Sequence, residues 1–158
     1  MGPIALVARR QYRRGLNAVE RGDLDALLAQ FAADCTLTFV GDTPLGARLT
    51  GLHDLRRWFE RFARLLPAPR FEIRQLVIAG PPWRQRLTAH VEIRSTVAGE
   101  PYLNQFAHFL TIRWGKVTDD LVLEDTQAWE RACRRLAEAG LAEAAAGPLV
   151  PSAGRSAA

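Results

Sequence analysis

Three side chains in the second half of the chain could exchange protons within one site: His108, Asp120 and Glu124. Histidine changes charge near neutral pH, and a carboxylate beside it fixes its tautomer. Asp120 lies on the strand next to His108 if the short Arg113-Trp-Gly-Lys116 turn pairs the segments on either side of it. Such a pair can remove an acidic C–H or O–H proton and return one elsewhere. That chemistry suffices for aldol-type ring closure, double-bond migration or the opening of an epoxide by an internal nucleophile. One positioned acid or base contributes roughly 10²–10⁴ in rate. The competing reading is a core histidine bonded to backbone. Asn104 could donate to an oxyanion or orient a carbonyl; otherwise it is a strand-end amide bonded to its own hairpin.

Strand parity decides whether these groups meet. Segment 102–112 places Asn104, Phe106, His108, Leu110 and Ile112 on one face, and Gln105, Ala107, Phe109 and Thr111 on the other. The first set is more apolar and is expected to face inward. On segment 116–124, Asp120, Val122 and Glu124 share a face, and Asp119, Leu121 and Leu123 share the other. Polarity alone favours the leucines inward, whereas the spacing from Gly115-Lys116 favours the acids. An inward carboxylate is desolvated and its pKa raised. Outward Leu121 and Leu123 would need cover, which a dimer interface supplies.

The elements that must position these residues are legible as periods. Residues 4–21 carry Val7, Ala8, Tyr12, Leu16 and Val19 as one helical stripe, with Tyr12 expected in the core. Gly22 ends that helix. Asp23 caps a second one, in which Leu24, Leu27, Leu28 and Phe31 face a core. A strand follows over 35–40, then a loop over 41–51. A third helix over 52–66 buries Leu55, Phe59, Phe62 and Leu66, with Trp58 beside them. Period two then takes over in segments 70–79, 85–97, 102–112 and 116–124, and a last helix spans 126–139. The prediction is an α+β fold: a cone-shaped, curved antiparallel sheet wrapped on three N-terminal helices, with a short C-terminal helix. A sheet bent around helices leaves a conical space for a small, mostly apolar ligand. The folded domain is expected over 1–141, and the Ala-, Gly- and Pro-rich residues 142–158 as a flexible tail.

Composition excludes several functions. The 158 residues suffice for one domain, and 48% of them are hydrophobic, against wholesale disorder. No apolar run approaches the roughly 18 residues of a membrane span. The N-terminus has its charges after a short apolar patch, the reverse of a secretory signal, so a cytoplasmic location is expected. The net charge of +4 is no nucleic-acid signature. All the basic residues but Lys116 are arginines scattered among acids, and the run Arg9, Arg10, Arg13, Arg14 fits one solvent-facing helix surface. Cys35 and Cys133 have no ligand-spaced partners, so they are expected as buried thiols in a reducing compartment. No metal cluster, phosphate loop or nucleophile elbow is evident, and neither cofactor nor metal is expected.

The segments Gly22-Asp-Leu-Asp25, Phe31-Ala-Ala-Asp34, Leu49 to Phe62, Gly115-Lys-Val117 and Leu123-Glu-Asp-Thr126 resemble the SnoaL-like polyketide cyclase and ketosteroid isomerase branch of the nuclear transport factor two-like superfamily. The match in order and spacing covers about residues 5–140. The resemblance implies a cone whose inward face carries His108 where ketosteroid isomerases place an oxyanion-stabilising Asp. It also favours Asp120 and Glu124 as inward acids. Phe39, Trp58, Phe62, Phe106 and Trp83 would line or lid the cone, with ordinary core as their other reading. The isomerase general base falls at Phe39, which takes no proton, and the isomerase helix-one Tyr falls near Gly15. The Arg and two Asp of limonene epoxide hydrolases fall at Ala89, Val91 and Val122. What the resemblance then implies is a cofactor-independent acid–base cyclase or isomerase using His108, Asp120 and Glu124. Its substrate would be a hydrophobic carbonyl or epoxide intermediate of polyketide or terpenoid type. A homodimer through the outer sheet face is expected, with no nucleic-acid or membrane partner. The alternatives are a non-catalytic small-ligand binding or interaction domain, and an epoxide hydrolase using other acids.

Overall fold

The computed structural model describes residues 2–153. Helix α1 (Pro3–Arg21) starts with proline in its first turn and stops at Gly22, whose φ of 68° gives the left-handed cap that glycine adopts without strain. Its buried stripe is Ala8, Tyr12 and Leu16. Val7 does not belong to it and is exposed. It lies one helical step, about 100°, off that line. Asp23 accepts from the backbone N–H of Ala26 and caps α2 (Leu24–Leu28).

The chain leaves α2 sooner than its apolar pattern suggests. Strand β1 (Phe31–Phe39) begins at Phe31, a residue expected on the helical stripe. Phe31 pairs with Val117, and the Val117 N–H donates to the Gln30 carbonyl. These long-range ladder bonds outweigh a weak local helix preference. A second strand, β2 (Ala47–Thr50), lies in the segment expected as loop. It pairs antiparallel with β1, and four residues are too few to display period two. Then come α3 (Leu52–Leu65), β3 (Arg70–Ala79), β4 (Gln85–Val97), β5 (Glu100–Arg113), β6 (Lys116–Glu124) and α4 (Thr126–Glu138), the last capped by Asp125.

The six strands form one sheet in the order β2-β1-β6-β5-β4-β3. The sheet is mixed, not wholly antiparallel as expected: β1 runs parallel to β6 because both strands start at the same end, joined there by the Val117–Gln30 bond. Register shifts at Ile73/Gln75 in β3 and Thr111/Ile112 in β5 bend the strands. Helices α1 and α3 cover the concave face with Leu16, Leu55, Phe59 and Leu65. Helix α4 closes one end with the fully buried Trp129, its ring against Tyr102.

Residues 142–153 are not loose. A 3₁₀ turn (Ala142–Ala145) buries Ala144, and Leu149 bridges to Ala47 alongside β2. Glu143 accepts from Arg61 and Arg64 of α3, and the Ser152 N–H donates to Asp54. The composition that suggested a tail hides three specific anchors: one carboxylate, one leucine and one backbone amide. Residues 154–158 of the expected tail lie outside the described residues.

Candidate functional site

The bent sheet and helices α1 and α3 surround a cavity of about 100 Å³. Cavities on the order of 150 Å³ take up a single aromatic ring. Its walls are largely hydrocarbon: Leu16 and Leu27 from the helices, Leu37 and Leu110 from the sheet. An aromatic group forms one side. Trp58 stacks on Phe62 at 5.6 Å between ring centroids and meets Phe39 at 5.2 Å. The Trp58 indole N–H donates to the Leu45 carbonyl at 2.8 Å, which fixes the ring against the wall.

Into this apolar wall projects a chain of three polar side chains. The β5–β6 register sets His108 opposite Val122 and Leu110 opposite Asp120, so His108 and Asp120 are diagonal neighbours on the inner face. His108 Nε2 and Asp120 Oδ1 are 2.7 Å apart. Tyr12, from α1, places its hydroxyl 2.9 Å from His108 Nδ1. A carboxylate only accepts, so Nε2 carries the hydrogen and Nδ1 is the bare acceptor for the Tyr12 O–H. Both Asp120 and Tyr12 are buried, and Phe106 packs its edge against the imidazole at 5.8 Å. Burial, with the Asp120 charge adding to it, raises the Tyr12 phenol far above its ordinary value, so the phenolate is not populated. Sequence reasoning placed Tyr12 in the core and assigned it no chemistry. The available signal was its position on the inward stripe of α1, one turn from Gly15.

Glu124 lines the same cavity from the end of β6. Burial is the larger cause and Asp125 the lesser in raising its carboxyl to about 8. Its Oε2 receives only a long 3.5 Å contact from Asn104 Nδ2, and among the described residues Oε1 is buried without a partner. Asn104 faces inward but does not line the cavity. Its amide donates to the Tyr102 hydroxyl at 2.8 Å and the Asp125 carbonyl at 3.1 Å, while its own oxygen accepts the Gln105 N–H. With these bonds made, its expected oxyanion role gives way to holding the start of α4. Trp83 does not line or lid the cone. It is exposed in the β3–β4 turn, 6.1 Å from Trp114 of the β5–β6 turn, because the Trp114 N–H bonds Pro82 and ties the two hairpins together outside the cavity. Phe39, Trp58, Phe62 and Phe106 all line the cavity.

Leu121 and Leu123 face outward, as the inward acids require, and His90, Glu92 and Arg94 share that outer surface. Both cysteines are buried and unpaired, and burial pushes each thiol up to about 12. Among the described residues, no three His, Cys, Asp or Glu side chains are grouped to hold a metal ion. No helix among them is long and apolar enough to cross a membrane.

A mixed sheet bent around helices over an apolar cavity, with a His–Asp pair on its wall, defines a cone-shaped α+β domain of the nuclear transport factor two-like kind. The SnoaL-like domain model matches residues 12–120, and the chain belongs to that family. Solved structures share the fold. A candidate SnoaL-like polyketide cyclase from Jannaschia sp. CCS1 superposes with a TM-score of 0.70 at 11% identity, over 84% of this chain and 94% of that one. TerC, co-crystallised with polyporic acid, gives a TM-score of 0.65 at 18% identity, over 79% and 96%. An NTF2-like protein of unknown function from Burkholderia pseudomallei K96243 gives 0.67 at 19% identity, over 79% and 95%. No curated protein matches the chain.

Proposed function

We propose that the protein is a cofactor-independent acid–base cyclase or isomerase acting on a hydrophobic carbonyl or epoxide intermediate, of polyketide or terpenoid type. The observation that carries this reading is the Tyr12–His108–Asp120 chain on the wall of an apolar cavity. An acidic C–H next to the substrate carbonyl, or an acidic O–H, passes its proton to the Tyr12 oxygen as the Tyr12 proton passes to His108 Nδ1. Asp120 stabilises the imidazolium so formed. The His108–Tyr12 bond then reverses: Nδ1–H donates to the phenol, and the phenol O–H donates to the substrate oxyanion. The resulting enolate carbon can close a ring or shift a double bond, and the chain returns the proton. Dry walls strengthen each of these interactions.

The test is exchange of the acidic α-hydrogens of 2-tetralone in D2O, followed by proton NMR. The wild type is expected to accelerate exchange, and His108→Ala and Asp120→Asn to reduce it by roughly 10²–10⁴. Rates equal to wild type in both variants would sink the mechanism. One observation favours a second reading, a passive small-ligand binding domain: both His108 nitrogens are already engaged by protein groups. No exchange above the uncatalysed rate, with saturable ligand uptake, would support that reading instead.

A homodimer through the outer sheet face belongs to the same proposal. Val77, Thr88, Phe109 and Leu121 form one continuous row across β3, β4, β5 and β6 on that face, with Leu123 beside it. Val77, Phe109 and Leu123 are exposed apolar side chains. Light scattering is expected to give twice the monomer mass, and Phe109→Glu to return it to one. The buried, unpaired cysteines fit a cytoplasmic location.

A further inference from the structure

One polar wall of the cavity takes no part in that mechanism. Val122 faces His108 directly across the β5–β6 ladder, and Glu124 is the next residue on the same face. It is therefore diagonal to His108, with the two backbone positions roughly 7–8 Å apart. Phe106 stands opposite Glu124 and separates the two polar groups with hydrocarbon. Oε1 of Glu124 is a buried oxygen with no partner among the described residues. The Asn104 amide has closer acceptors in Tyr102 and Asp125 than in Glu124 Oε2. The titratable neighbours are Asp125 at the strand end, Tyr102 from β5 and Cys133 from α4. A buried carboxyl in such a place is held as the neutral acid, and its hydrogen belongs on the oxygen that receives no N–H. That oxygen is Oε1, and a buried donor without an acceptor is costly until something supplies one.

We propose that Glu124 Oε1 is a second binding station, donating a hydrogen bond to a carbonyl oxygen of the ligand while the Tyr12 hydroxyl takes an acidic O–H at the ligand's other end. The ligand class is an uncharged, ring-bearing hydroxy-ketone with its hydroxyl at one end of the ring and its carbonyl at the other. The hydroxyl half of this class rests on the acid–base reading of Tyr12, His108 and Asp120; the carbonyl half rests on Glu124 alone. Tyr102 and Asn104 are positioning residues in this scheme, holding the β6–α4 junction from which Glu124 projects.

The test compares two probes by calorimetry at pH 6.5: 4-hydroxyacetophenone, and 4-ethylphenol, which lacks only the carbonyl. The ratio of their affinities is measured in the wild type, Glu124→Gln and Glu124→Leu. The wild type is expected to favour the hydroxy-ketone about three- to tenfold more than the Leu variant does. The Gln variant, whose amide N–H donates from the same place, is expected to keep that preference. Glu124→Met preserves length without a donor and serves if the Leu variant does not fold. The same ratio in all three proteins, or no saturable binding of either probe to the wild type, overturns the proposal. Tetralone exchange in the wild type is read separately. A carbonyl preference without exchange keeps the Glu124 station and removes the catalysis; exchange without the preference does the reverse.

Discussion

Tyr12 and His108 are 96 residues apart in the chain, yet the phenol oxygen lies 2.9 Å from the imidazole Nδ1. Helix α1 crosses the concave face of the sheet at the height of His108, so the first helix completes a site whose other two members are strand neighbours. This contact makes the His–Asp pair a three-membered proton chain.

Removing the phenol hydroxyl therefore has two effects. Tyr12→Phe leaves His108 Nδ1, on a partly buried ring, an acceptor without a donor, which costs about 1 kcal/mol and lowers the thermal midpoint by roughly 2–4 °C. Tetralone exchange is expected to fall about tenfold or more, because the proton no longer reaches Nδ1 through an oxygen. Scanning calorimetry and NMR exchange check the two effects independently. Full exchange in this variant would place the proton path elsewhere.

Asp120→Asn keeps the shape and removes the charge. The neutral amide no longer fixes Nε2 as the protonated nitrogen, so His108 is expected to show a mixture of tautomers in its imidazole ¹⁵N shifts. The wild type is expected to show one tautomer. A single unchanged tautomer would mean that Tyr12, not Asp120, orients the ring.

Glu124 should tilt stability with pH. Its carboxyl is raised from 4.5 to about 8 by burial. Between those values the folded protein holds a proton that the unfolded chain has released. The contribution is fully present below about pH 4.5 and is lost as pH rises through about 8. The denaturant midpoint of the wild type is expected to be lower at pH 8.5 than at pH 5, by up to a few kcal/mol in stability. Glu124→Gln should lack that part of the difference. Parallel pH profiles for the two proteins would contradict a buried, raised carboxyl.

The docked C-terminal segment should respond in the opposite sense. Hydrogen bonds from Arg64 hold Glu143 below the usual carboxylate range. Its contribution is present at neutral pH and is lost as pH falls through that lowered value. Glu143→Ala is expected to cost about 1 kcal/mol or less, since Arg64 is largely in solvent. It should also speed hydrogen exchange at the Leu149 N–H, which donates to the Gly46 carbonyl. Unchanged protection there would show that Leu149 packing alone holds the segment.

Period and turn chemistry were sufficient for most of the architecture. The strands 70–79, 85–97 and 116–124, the Asp23 cap and the Gly22 stop are local patterns, fixed by backbone propensity and alternation within each segment. The shared face of His108 and Phe106 was likewise legible, because parity is a local property of one strand. Polarity pointed the wrong way for β6: Asp120 is inward and Leu123 outward, since pairing with β5 fixes register whatever the residues prefer in isolation. Tertiary pairing also ended α2 early, extended β1 back to Phe31 and created the four-residue β2 within the segment 41–51 expected as loop. Trp83 and Asn104 went to partners that no local pattern specifies: another hairpin's tryptophan, and the cap of the following helix. The sequence by itself determined which residues could carry protons and which strand faces they share. Only the tertiary structure brought Tyr12 onto His108 and left Glu124 Oε1 without a partner among the described residues, because both depend on how α1 and α4 settle on the sheet, and helix packing is set by side-chain shape across elements far apart in the chain.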